Sequence, residues 1–188
     1  SHVQPLGEDS PVKGLPIYEQ FKGKPYIMGQ TAEFLADMYG ITREEMDEVA
    51  LRSHNGAERA TLNGDFAGEI VPVEIPQKRG KPSKFFDKDE HFRPGLTLDD
   101  LSKLPAAFLP KGGRVTAGNA SGLNDGASAM IIMSDDRAKE LGLKPLARII
   151  ASSRGGCHPS IMGASPVPAV RNLLKNNPQF TVDSFDLM

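Results

Sequence analysis

Val115-Thr116-Ala117-Gly118-Asn119-Ala120-Ser121-Gly122-Leu123-Asn124-Asp125-Gly126-Ala127 is the stretch on which the reading of this chain turns. It holds three glycines, three alanines, two asparagines and one charged side chain. Glycine lets a second backbone or a ligand come close. Asn and Asp bond to neighbouring backbone and favour caps and turns. The β-branched pair Val115-Thr116 suits the end of a strand, and Asn124 or Asp125 can cap whatever follows. Composition alone leaves two readings: a Gly-rich turn in a compact α/β domain, or a low wall past which something bulky lies. It is not a phosphate loop. The chain has no G-x-x-x-x-G-K-[ST] run, and no Gly-x-Gly-x-x-Gly follows a strand.

Outward from that stretch, turn and cap chemistry divides the chain. Residues 1–24 carry three prolines, Pro5, Pro11 and Pro16, and no clear period, and read as an extended surface arm. Residues 31–39 read as a short helix stopped by Gly40. Thr42 opens a longer helix through a capping box with Glu45, and Gly64 closes it. Met46, Val49, Ala50, Ser53, Ala57 and Ala60 share one face of that helix. Residues 69–75 read as a strand, demoted towards an edge by Pro72. Residues 77–94 are dense in charge, which fits a solvated loop. Thr97 caps a short helix, and the turn Pro110-Lys111-Gly112-Gly113 precedes a strand over 114–117. Residues 127–133 and 146–151 are apolar runs expected to be buried strands. Between them, Ser134 caps a helix that Gly142 ends. Residues 166–175 form a helix with Pro near its start, and residues 182–188 enter a final strand. This alternation of strand and helix predicts a layered α/β fold.

The 188 residues suffice for one domain or parts of two. A formal net charge of −2, mixed along the chain, argues against a nucleic-acid or membrane partner. No apolar run reaches the ~20 residues of a membrane span. A single cysteine permits no internal disulfide and fits a reducing compartment. Cys157 is followed by His158, but neighbours on an extended backbone point to opposite sides. A direct thiol–imidazole dyad is therefore not expected, and Cys157 reads as structural. The four histidines and scattered carboxylates have no metal-ligand spacing.

Four segments in order resemble the thiolases, the acyl-CoA acetyltransferases. Residues 116–127 resemble the N-A-S-G-x-N-D-G-A signature. Residues 26–33 resemble M-G-x-T-A-E, residues 65–73 resemble F-x-x-E-I-V-P-V, and residues 162–169 resemble M-G-x-G-P-V-P-A. The resemblance runs from about Pro25 to Met188. It implies the α/β fold class, specifically part of a layered α/β/α thiolase core with an α-rich loop domain inserted. The implied division is 1–24 as arm or linker, 25–110 as the loop domain that covers coenzyme A, 111–143 as the end of the N-terminal core and 144–188 as the start of the C-terminal core.

The resemblance also implies function. In the family a cysteine thiolate attacks a 3-ketoacyl-CoA and becomes acylated, while a second cysteine and a histidine handle protons. The matched segments carry neither reactive cysteine, so no catalytic residue is assigned and the chain alone is expected to be inactive. Its implied role is to hold the CoA thioester, which is substrate; no cofactor and no metal are implied. Ala117, Ala120, Ser121 and Leu123 would line the pantetheine tunnel. Met28 and Phe108 would flank the ligand, Met162 would line the acyl pocket, and Arg93 would reach a phosphate, for which guanidinium geometry is suited. For each apolar residue, plain core packing is the competing reading. Ile27 departs from the histidine that many acetyl-specific members have here, which points towards longer 3-ketoacyl substrates. The family implies a homo-oligomer, dimer or tetramer, and the expected location is cytoplasmic. The competing class is a non-catalytic CoA-binding module or a scaffold or oligomerisation module.

Overall fold

The computed structural model describes residues 5–78, 81–109 and 111–188. It comprises two compact units, Tyr26–Gly122 and Ser1–Pro25 with Leu123–Met188.

The unit Tyr26–Gly122 is built on two helices, α2 (Met28–Tyr39) and α3 (Arg43–Asn63). Each ends at a glycine in the left-handed region, Gly40 at φ +66° and Gly64 at φ +76°, where a Cβ would be strained. The Thr42–Glu45 capping box forms as expected. Thr42 Oγ1 accepts the Glu45 N–H at 3.1 Å, and Glu45 Oε2 accepts the Thr42 N–H at 2.8 Å. These bonds satisfy donors that the first helical turn leaves open. α4 (Leu98–Ser102) is capped by Thr97 and lies against α3. Phe34, Ala36, Leu101, Leu109 and Val115 form the buried apolar core of this unit. The edge of Tyr26 meets the Phe34 ring at 5.6 Å between centroids.

Beyond Gly64 the strand is shorter than the sequence suggests. Only β1 (Val73–Ile75) is paired, antiparallel, with β2 (Lys84–Phe86), in the register Val73 to Phe86 and Ile75 to Lys84. Pro72 and Pro76 border β1 and supply no N–H to extend the ladder. The expected strand over 114–117 is reduced to one antiparallel bridge, Ala106 to Thr116. Of the expected turn before it, Pro110 lies outside the described residues; Gly112 has φ +70°. Arg79 of the charged run also lies outside them.

The second unit departs more from expectation. The segment before Pro25 is not an extended surface arm in its described part. It holds α1 (Pro16–Phe21) and buries Leu6, Val12, Ile17 and Tyr18. Residues 127–133 and 146–151 are neither strands nor buried; Ile131 is 88% and Leu146 106% exposed. A strand needs a neighbour to take its backbone hydrogen bonds. None of the described residues of this unit forms a named strand that could serve. The helices, whose bonds are internal, do form. α5 (Asp135–Glu140) starts where Ser134 Oγ accepts the Arg137 N–H at 3.2 Å, and α6 (Pro166–Asn176) follows a 3-10 turn over Pro159–Ala164. Residues 182–184 form a 3-10 turn in place of the expected last strand.

Candidate CoA-binding segment

The signature stretch begins buried and ends exposed. Val115 and Thr116 are 3% and 0% exposed, whereas residues 121–127 lie open to solvent. Two side-chain clusters fix the buried end. Glu33 of α2 is fully buried, and its Oε1 accepts the backbone N–H groups of Arg114 and Val115, each at 2.8 Å. Its Oε2 is buried without a hydrogen-bond partner. The Arg114 guanidinium lies 3.5 Å from Asp37 of the same helix.

Asn119 centres the second cluster. Its Oδ1 accepts the Thr116 N–H at 2.8 Å, and its Nδ2 donates to Asp47 Oδ1 and to the Arg114 carbonyl, each at 2.9 Å. Asp47 is 3% exposed on α3 and also accepts Arg43 Nε at 2.7 Å. The same Arg43 donates through Nη2 to the carbonyls of Leu101 and Leu104, at 2.6 and 3.1 Å. Those are carbonyls at the end of α4, where a cation is favourable. Arg43, Asp47 and Asn119 therefore tie α3, α4 and the signature stretch into one network. Buried charges survive only when paired and hydrogen-bonded in this way.

The sequence-derived ligand residues distribute as follows. Met28 opens α2 and is 69% exposed. Phe108 is half-buried, with its ring over the Gly29 backbone; a Cβ built on Gly29 would stand 2.3 Å from the Phe108 Cγ. The absent side chain at Gly29 thus seats Phe108 beside Met28 in the chain. The Ala107 N–H donates to the Val115 carbonyl at 2.8 Å, which joins the Phe108 segment to the signature. Ala117 and Ser121 are exposed and Ala120 is half-buried. Arg93 is exposed; its N–H donates to His54 Nδ1 at 3.2 Å. His54 is thus not a free surface side chain: its ring also stacks on His91, 6.2 Å between centroids and 13° from parallel. Leu123, fully exposed, and Met162, 39% exposed, belong to the other unit. A shallow depression of about 400 Å³ is lined by Ile41, Glu45, Met46, Val49 and Asn119. None of the proposed ligand residues lines it.

Glu33, Asp47 and Asn119 are the residues that sequence reasoning left without a role. Glu33 and Asn119 stood inside quoted motifs. The signal for Asp47 was its i, i+4 spacing from Arg43 on a helix. Among the described residues, no cluster of three or more His, Cys, Asp or Glu could hold a metal ion.

Residues 9–136 match the family described as "Thiolase, N-terminal domain". The chain belongs to the thiolase family. It is 52% identical over 163 residues to the acetyl-CoA acetyltransferase of Cupriavidus necator, covering 87% of this chain and 41% of that one. It is 50% identical over 150 residues to the acetyl-CoA acetyltransferase of Allochromatium vinosum, covering 80% and 38%. The crystal structure of the Bacillus anthracis acetyl-CoA acetyltransferase superposes with a TM-score of 0.78 at 47% identity, over 92% of this chain and 41% of that chain. Human mitochondrial 3-ketoacyl-CoA thiolase gives 0.76 at 45% identity, over 88% and 40%. The fold is thus part of the α/β thiolase fold. The chain spans about two fifths of the length of these thiolases.

Proposed function

We propose that this chain supplies the CoA-holding part of a thiolase that transfers acyl groups between CoA thioesters. The reaction is thiolytic cleavage of a 3-ketoacyl-CoA or Claisen condensation of acetyl-CoA. The names of the relatives support that reaction class. The observation that carries the binding role is the anchored, open signature stretch. Glu33 and the Asn119–Asp47–Arg43 network hold its start, and small residues then continue into solvent. A pantetheine arm needs a low surface along which it can lie, and one whose start is held in place loses less ordering entropy on binding. In this reading Ala117, Ala120, Ser121 and Leu123 contact pantetheine, Met28 and Phe108 flank it, Met162 meets the acyl group and Arg93 meets a phosphate. The homo-oligomer and the cytoplasmic location belong to the same proposal.

The isolated chain is proposed to be inactive. Cys157, its one cysteine, directs its thiol to the Ile161 carbonyl at 3.4 Å. His158 is engaged elsewhere, with Ser160 Oγ at 2.8 Å and Asp9 at 3.4 Å. Among the described residues, neither His158 nor any other base is hydrogen-bonded to the sulfur, as thiolate activation requires. Two assays test the proposal. Acetoacetyl-CoA with free CoA should give no turnover above background, and turnover would refute inactivity. Ser121→Leu should keep the fold, because the site is exposed, yet lose CoA affinity through bulk; unchanged affinity would refute the pantetheine contact.

The alternative, a non-catalytic oligomerisation module, draws on the exposed apolar run Met130, Ile131 and Ile132. Sedimentation decides its weight: concentration-dependent association relieved by Ile131→Lys favours it, and a monomer at all concentrations removes it.

A further inference from the structure

The seven residues 91–97 are held in an unusual manner. Every second backbone N–H is captured by a side-chain acceptor. His91 N–H donates to Asp89 Oδ1 at 2.8 Å, Arg93 N–H to His54 Nδ1 at 3.2 Å, Gly95 N–H to Glu58 Oε2 at 3.1 Å and Thr97 N–H to Asp100 Oδ2 at 3.1 Å. Pro94 has no N–H to offer. The two central acceptors, His54 and Glu58, are one turn apart on the same face of α3. The Arg93 bond requires His54 Nδ1 to be unprotonated, so the neutral ring carries its hydrogen on Nε2. The His91 ring lies nearly parallel to that of His54, 6.2 Å between centroids.

This segment buries little, with only Phe92 and Leu96 half-buried. Asp89 forms a local Asx turn and Asp100 belongs to the α4 cap, but neither local turn chemistry nor apolar burial explains the two acceptors from α3, His54 and Glu58. Arg93 is the one Lys or Arg within it. The two α3 acceptors bracket it, one on its own N–H and one two residues on. We infer that His54 and Glu58 are positioning residues for Arg93, fixing the backbone from which its guanidinium reaches a phosphate-bearing ligand. This rests on the CoA reading above and adds which residues make Arg93 effective. A long cationic side chain on a free loop would have to order the loop on binding; one on a latched loop does not.

The test compares the affinity of the 188-residue chain for CoA with that for pantetheine, which lacks the phosphates. His54→Ala should weaken CoA binding about three- to tenfold, the scale of one net hydrogen bond. It should leave pantetheine binding unchanged and speed amide exchange at Arg93 and Gly95. His54→Gln should restore CoA binding to within about twofold, because its side-chain carbonyl can accept the Arg93 N–H. In an Arg93→Ala background, His54→Ala should have no further effect on CoA. Equal loss for CoA and pantetheine, no loss for either, or additive effects of the two substitutions would overturn the inference alone. If the unmodified chain binds CoA no better than pantetheine, the Arg93–phosphate reading falls first and takes this inference with it.

Discussion

Removing the Glu33 carboxylate should detach the signature stretch from α2. Glu33 Oε1 is the acceptor for two backbone N–H groups, those of Arg114 and Val115, at 2.8 Å each. Val115 is 3% exposed, so water cannot readily replace the lost acceptor. An unsatisfied buried donor costs about 1–3 kcal/mol. Arg114 is half-exposed and recovers part of its loss through water. Glu33→Ala is therefore expected to cost about 3 kcal/mol locally, with the cavity left by the side chain included. That corresponds to roughly a hundredfold faster amide exchange at Val115. Glu33→Gln keeps a carbonyl oxygen for both donors and removes a buried charge whose other oxygen has no partner. It should stay within about 1 kcal/mol of the original. Native-state hydrogen exchange resolved at Arg114 and Val115 is the assay, since a chain of two units need not unfold in one step. Unchanged protection of Val115 in Glu33→Ala would refute the reasoning. So would equal damage from Glu33→Gln, which would mean that the charge rather than the acceptor geometry matters.

Other expectations follow from single contacts. Gly29→Ala forces a Cβ into the Phe108 ring and should lower the unfolding free energy read from urea denaturation by about 1–2 kcal/mol; in a Phe108→Ala background the same change should be neutral or stabilising by about 0.5–1 kcal/mol. Thr42→Ala removes one half of the α3 capping box and should cost about 1 kcal/mol, read by denaturant unfolding. The Thr97 hydroxyl and N–H both donate to the Asp100 carboxylate and hold it below its ordinary pKa of 3.8. A depressed carboxyl contributes stability above its unfolded value and loses it as pH falls through the folded one. Protection of the Thr97 amide should therefore fade below about pH 3.8, and Asp100→Asn should flatten that profile.

What the sequence disclosed of the fold divides by the range of the interactions. Helices α2 and α3 were legible because their caps are local: Thr42 reaches Glu45, and Gly40 and Gly64 end their own helices. Residues 127–133 and 146–151 were not, because strand formation depends on a neighbour the apolar pattern cannot supply. The helix α1, with its buried Tyr18, and the buried Val12 before it were hidden by prolines and the lack of a period. At the site, motif residues were readily picked out, but the bonds that hold the signature were invisible. Glu33 meets Val115 across 82 positions, and Asp47 meets Asn119 across 72. Nothing in local spacing marks either pair.

The most direct measurement is residue-resolved NMR of the chain during titration with CoA. Saturable shifts are expected at Ala117, Ala120, Ser121, Leu123, Met28, Phe108, Arg93 and Met162, with Glu33 and Asp47 little changed. Shifts confined to the depression at Ile41, Met46 and Val49, or no saturable shift at millimolar CoA, would contradict it.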